Sequence, residues 1–101
     1  MSWTPFRNRQ GEPIDVDEWM RLWDDHKYRF LGDEKVGPYR IATIWTGADD
    51  NPPHGWIFET SVFGPSGTKE PREQLPATTE AEAFANQKRL LDKYSRLPKP
   101  D

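Results

Sequence analysis

Apolar and polar residues alternate with two periods along this chain, and the periods change at the glycines and prolines. Val16, Trp19, Met20 and Trp23 recur at spacings of three and four, which predicts a helix from about residue 15 to Asp24–His26. Asp15 is placed to cap Glu18, Glu18 to reach back, and Ile14 to staple against Trp19. Three strands are predicted next. Tyr28–Glu34 has the weakest pattern, Tyr39–Thr46 is rich in β-branched and aromatic residues, and Trp56–Phe63 lies between Gly55 and Gly64. In the third strand, period two puts Trp56, Phe58, Thr60 and Val62 on one face and Ile57, Glu59, Ser61 and Phe63 on the other. The pattern leaves open which of these faces the core.

Residues 64–77, with two Gly and three Pro, are predicted as an exposed loop. Thr79 and Glu82 form a second capping box, and Ala83, Phe84, Gln87, Leu90, Leu91 and Tyr94 form the stripe of the final helix. The predicted architecture is an α+β domain of order α-β-β-β-α, two helices on a three-stranded antiparallel sheet. Residues 1–12 are expected as an extended arm, 13–95 as the single domain and 96–101 as a flexible tail.

Composition narrows the picture. Of 101 residues, only 18 are Leu, Ile, Val or Phe, but five Trp add large apolar surfaces. The core is therefore expected to be thin, built from Trp19, Trp23, Ile41, Phe58, Phe84, Leu90 and Leu91. No apolar run approaches the ~20 residues of a membrane helix. The absence of Cys excludes disulfides and thiolate zinc sites. No apolar segment of signal-peptide type opens the chain, so a cytoplasmic protein is expected.

Four stretches together, residues 11–19, Ala42–Gly47, Ile57–Gly64 and Thr78–Ala83, resemble a group of small uncharacterised proteins of actinobacteria and their phages. The Phe58-Glu-Thr-Ser-Val-Phe-Gly64 run is the most specific part. The likeness spans roughly residues 11–85 and implies provenance, a phage or prophage accessory protein, but no chemistry. The element order, with Gly37-Pro38 after the first strand, is also similar to the double-stranded-RNA-binding domain. That family needs lysines at the start of its last helix, where this chain has Thr78-Thr-Glu-Ala-Glu82. The likeness therefore implies topology without the function.

Candidate chemistry is sparse. Asp49, Asp50 and His54, with Glu59, offer oxygen and imidazole ligands for a divalent cation, the basis of a small metal-dependent hydrolase. A stiff turn explains the same residues. Glu59 is expected to face solvent or to pair with Arg40 across the strands. No Gly-x-Ser-x-Gly elbow and no phosphate loop is present, and neither a catalytic residue nor a cofactor is assigned. Charge is uneven: residues 15–25 sum to −4, while 86–101 hold five Lys/Arg against two Asp. Lys88, Arg89, Lys93 and Arg96, with Arg40, are the candidates for nucleic-acid binding, although a solvated helix face accounts for them more simply.

The leading expectation is a non-enzymatic module that binds a host or phage protein through Trp3, Phe6, Tyr39, Arg40 and Trp56, as a monomer or weak homodimer. Trp3 and Trp56 are expected to be partly exposed; the alternative is an arm that folds back over the sheet edge. Asp15→Ala and Thr79→Ala should each cost about 0.5–2 kcal/mol through a lost cap. Chemical denaturation checks this, and unchanged midpoints would place the helix starts elsewhere.

Overall fold

The computed structural model describes residues 4–48, 55–64 and 71–96. The elements run α1 (Val16–Trp23), α2 (His26–Arg29), β1 (Phe30–Val36), β2 (Tyr39–Trp45), β3 (Phe58–Phe63), β4 (Glu73–Ala77) and α3 (Glu80–Ser95). Both predicted caps form. Asp15 accepts from the Glu18 amide at 2.8 Å, and Thr79 accepts from the Glu82 amide at 3.2 Å. Neither glutamate reaches back to its cap backbone. Glu18 binds Arg21 instead, and Glu82 accepts from the Thr78 hydroxyl.

The sheet has four strands, not three, in the antiparallel order β1-β2-β3-β4. The fourth arises from the segment predicted as a loop. Pro76 suggested a breaker, yet it occupies an edge strand with its nitrogen turned away from β3. Its carbonyl, on the same outward side, accepts from Asn86 at 3.2 Å. Proline is tolerated there because no ladder bond is lost. A second difference lies before β1, where Asp25 caps Tyr28 and starts the short helix α2 in place of the predicted strand start. The β1–β2 hairpin closes through Gly37-Pro38, with Gly37 at φ +59°, the left-handed conformation that a mirror-image hairpin turn requires.

The register assigns the faces. Ile41 opposes Val62, Thr43 opposes Thr60 and Trp45 opposes Phe58, and all six point toward α3. Leu75 and Ala77 join them from β4. Two apolar clusters result. Trp45, Ile57, Phe58, Ala77, Ala83 and Leu22 form one, with Ile14, Trp19, Trp23, Tyr28 and Leu31 against it. Tyr39, Ile41, Val62, Leu90 and Tyr94 form the other, with Val36, Leu75 and Leu91. Of the expected core, Phe84 is the exception at 46% exposure, because α3 turns Ala83, Gln87, Leu90 and Tyr94 inward. Val16 and Met20 of the expected α1 stripe are likewise exposed, and Leu22 is the residue α1 buries.

A polar belt lies between the clusters. The fully buried Thr43 donates to the Gln87 Oε1 at 2.6 Å. Its one proton is thereby committed, so the Thr60 hydroxyl, 2.7 Å away, must be the donor in the Thr pair. Gln87 Nε2 donates to the Ile41 carbonyl at 3.0 Å and to Glu34 at 3.3 Å. Every polar group of the belt is thus paired, as burial demands. Gly32 of β1 makes the room: a Cβ there would lie 2.9 Å from Gln87 Cδ.

Residues 4–14 are tied to the sheet end. Arg7 donates its amide to the Gly47 carbonyl, and its own carbonyl accepts from the buried Trp45 indole at 2.9 Å. Phe6 stacks on Trp19 with centroids 4.9 Å apart, and the Trp19 indole donates to the Thr46 carbonyl. Arg9 pairs with Glu80 and donates to the Tyr28 carbonyl.

Gly32→Ala should overpack the belt and cost about 1–3 kcal/mol. Gln87→Ala should cost a similar amount by leaving Thr43 and the Ile41 carbonyl unpaired. Because the two residues touch, the double variant should lose less than the sum, measured as urea midpoints. Strictly additive losses would show that the two sites do not meet.

Candidate interaction surface

Four strands with all helices on one side leave the other face of the sheet free of any element among the described residues. Three rows of side chains cross it. Phe30, Ile44, Glu59 and Pro76 form the first; Asp33, Ala42, Ser61 and Gln74 the second; Lys35, Arg40 and Phe63 the third. The centre is small and low: Ala42 and Ser61 are buried between longer neighbours. Ile44 and Phe63 stay half-buried and the charged residues stand at the rim.

Several of these rim side chains are already fixed. Arg40 grips Asp33 through two bonds of 2.7 Å each. The Arg40 guanidinium therefore holds the Asp33 carboxyl below its ordinary range, against a smaller opposing effect of burial. Glu59 faces outward and is held by Gln74 Nε2 and by the Ser61 hydroxyl at 3.2 Å. Arg40 is thus bonded to Asp33 on β1, and Glu59 takes its partners from β3 and β4.

The expected partner residues distribute unevenly. Arg40 lies on the open face. Trp56, one residue short of the last buried position before β3, is 40% exposed. It misses the inward row of Phe58, Thr60 and Val62 because the regular strand begins only at Phe58. Phe6 is half-buried against Trp19. Tyr39 does not belong to an exposed surface: it is 6% exposed and packs edge-on against Tyr94, with Arg72 over its ring. The period that puts Ile41 and Trp45 inward takes Tyr39 inward with them. Trp3 lies outside the described residues.

The basic helix is partly neutralised. Lys93 pairs with Glu73 at 2.9 Å and Arg96 with Asp92 at 3.3 Å, while Lys88 and Arg89 stay exposed. Lys93, and after it the Tyr94 hydroxyl, hold Glu73 below its ordinary range. Asp49, Asp50 and His54 of the suggested metal site lie outside the described residues. Among the described residues, no group of three His, Asp or Glu is arranged to hold a metal ion. No helix of the described structure is long and apolar enough to cross a membrane.

At the β1 edge the face ends in a cluster that pattern reading did not single out. Phe30 opposes Ile44, His26 stacks on Phe30 at 4.8 Å, and the Arg29 guanidinium lies 4.6 Å from the Trp23 ring centroid and 5.2 Å from that of Phe30. The signal was present as aromatic and cationic residues at 23, 26, 29 and 30. Reading 28–34 as strand separated them; helix α2 brings them together.

No protein family model, curated protein or solved structure matches the chain.

The depressed Asp33 pKa means the pair stabilises the fold above the ordinary carboxylate range and is lost as pH falls through the lowered value. Both side chains are nearly half exposed, at 47% and 44%, so screening keeps the contribution below about 1 kcal/mol. In Arg40→Gln, carboxyl NMR titration should return Asp33 to near pH 4. The neutral-pH denaturation midpoint should barely move. An unchanged Asp33 titration would show that Arg40 does not hold it in solution.

Proposed function

We propose that this protein is a non-enzymatic interaction module that docks another protein on the open face of its sheet. The observation that carries the reading is the one-sidedness of the fold. Eleven side chains from four strands form a surface with a low Ala42/Ser61 centre, half-buried Ile44 and Phe63, and rim charges already oriented by Asp33–Arg40 and Glu59–Gln74. Such a surface suits a protein partner: an apolar middle excludes water and a polar rim sets register. Its fixed side chains also lose little freedom on binding. Signs balance on the face, with Asp33 and Glu59 against Lys35 and Arg40, which argues against a polyanion as the ligand.

The aromatic part of the expected site is narrower than the sequence suggested. Phe63 on the face, Phe30 at its edge and Trp56 at the strand end are the aromatics that can take part. The provenance implied by the Phe-Glu-Thr-x-Val-Phe-Gly run, a phage or prophage of an actinobacterial host, belongs to the same proposal and makes the partner a host or phage protein in the cytoplasm. Self-association through the same face is the homodimeric form of this reading.

Ala42→Arg plants a long cation in the centre of the face without touching the core. Affinity capture from an actinobacterial lysate should retain a partner with the parent and with Lys88→Glu, and lose it with Ala42→Arg. Nuclease treatment should change nothing. Capture that survives Ala42→Arg but fails after nuclease treatment or in Lys88→Glu would move the function to the basic helix. Sedimentation of parent and Ala42→Arg separates a dimer from a heterologous complex.

A further inference from the structure

Arg29 is the least satisfied cation in the described structure. It is half-buried, its Nε is shut off from solvent, and that Nε has no hydrogen-bond partner. Among the described residues no carboxylate or carbonyl binds its terminal nitrogens either, and those nitrogens are not enclosed. The other partly covered arginines have partners: Arg7 Nη1 donates to the Gly11 carbonyl at 3.1 Å, and Arg9 has both Glu80 and the Tyr28 carbonyl. Arg29 has two aromatic rings instead, Trp23 and Phe30. Ring faces attract the cation and fix the plane of the guanidinium. They do not accept its N–H groups in the plane, so the outward edge of a rigid fork is left open.

We propose that Arg29 is a carboxylate-binding site that takes an Asp or Glu side chain of an acidic peptide. The fork matches a carboxylate with two parallel N–H···O bonds, and its orientation is set before the ligand arrives. The next residue after the stacked His26, Lys27, adds positive charge on the same short helix. Asp24 and Asp25 stand at the α1–α2 junction, Asp25 accepting from the Tyr28 amide. With Arg29 and Lys27 against Asp24 and Asp25, the formal charges around the site cancel, so the second charge of a phosphate dianion gains nothing at equal distances and a carboxylate monoanion suffices. The walls agree with this choice, since Trp23, Phe30 and His26 present ring surface suited to the stem of an acidic side chain. The site stands on Arg29's own surroundings and goes beyond the open-face reading.

The test uses the full 15N-labelled chain, titrated at constant ionic strength with acetate, with glutamate blocked at both ends, and with inorganic phosphate. The readouts are the Arg29 Nε–Hε and Trp23 indole signals. Blocked glutamate and acetate should give saturable shifts at both signals in the parent. Affinity read at the Trp23 indole should weaken at least tenfold in Arg29→Lys, which keeps the charge without the fork, and vanish in Arg29→Met. Ala42→Arg should bind as the parent does, so failure of the open-face reading leaves this result intact. Shifts that do not saturate, or that persist in Arg29→Met, would reduce Arg29 to a stacking residue. A tighter saturable response to phosphate would overturn the carboxylate assignment. If Arg29→Met lost its native signal dispersion, saturation in the parent and the loss in Arg29→Lys would decide.

Discussion

The amide of Gln87 is the interaction on which the rest of this small fold depends. One side chain from α3 reaches the Ile41 carbonyl and the Thr43 hydroxyl on β2, and the Glu34 carboxylate on β1. Thr60 on β3 joins through Thr43. A helix resting on apolar contacts alone can rotate or slide at small cost, because such contacts are not directional. Burying a carboxamide removes that freedom, since any other seating strands it at about 1–3 kcal/mol per unpaired group. The belt therefore sets which side of α3 faces the sheet, and sends Phe84 outward although it is the most apolar residue of its turn. It also divides the apolar interior into two modest clusters. With so few aliphatic residues, directional bonds supply what uniform packing cannot.

How much of this was readable in the chain follows from the range of each signal. Caps are local, and Asp15 and Thr79 stand where the pattern placed them. Strands β2 and β3 carry dense β-branched and aromatic runs and emerged within two residues at each end. Strand β4 was hidden because its inward positions are only Glu73, Leu75 and Ala77, and because proline acts as a breaker unless the sheet edge is known. That edge depends on pairing with β3, which no local pattern contains. Gln87 was counted in the helix stripe on spacing, but its partners lie 44 and 46 residues earlier. The Arg29 cluster needed α2, a single turn that Asp25 alone announces. Alternation separated the two faces of β3 from Phe58 to Phe63, but not at Trp56 and Ile57, which precede the regular strand: Ile57 is buried beside Phe58 and Trp56 is exposed. Tyr39 was misplaced because it was grouped with the aromatics that a small core could not all hide, and not judged from the face it shares with Ile41.

The one-sided sheet also explains how a thin core coexists with a rigid surface. Residues on the open face are not required to fill space, so Ala42 and Ser61 can be small and the charges around them can bind one another. Stability resides on the helix side, and the opposite side is at liberty to vary in shape and charge. Substitutions at Lys35, Arg40, Glu59 or Gln74 change the exposed face with little effect on folding, whereas Thr43 and Thr60, on the buried side of the same sheet, act on folding.

The docked segment at residues 4–14 has a consequence for the order of events during synthesis. It is made before several of the groups that hold it. Trp45, whose indole seeks the Arg7 carbonyl, follows 38 residues later, and Glu80, the partner of Arg9, follows 71 residues later. The Arg7 backbone therefore has no partner until β2 has been made, whereas Phe6 meets Trp19 only 13 residues on. Arg9 therefore cannot complete its ion pair until α3 has begun to emerge.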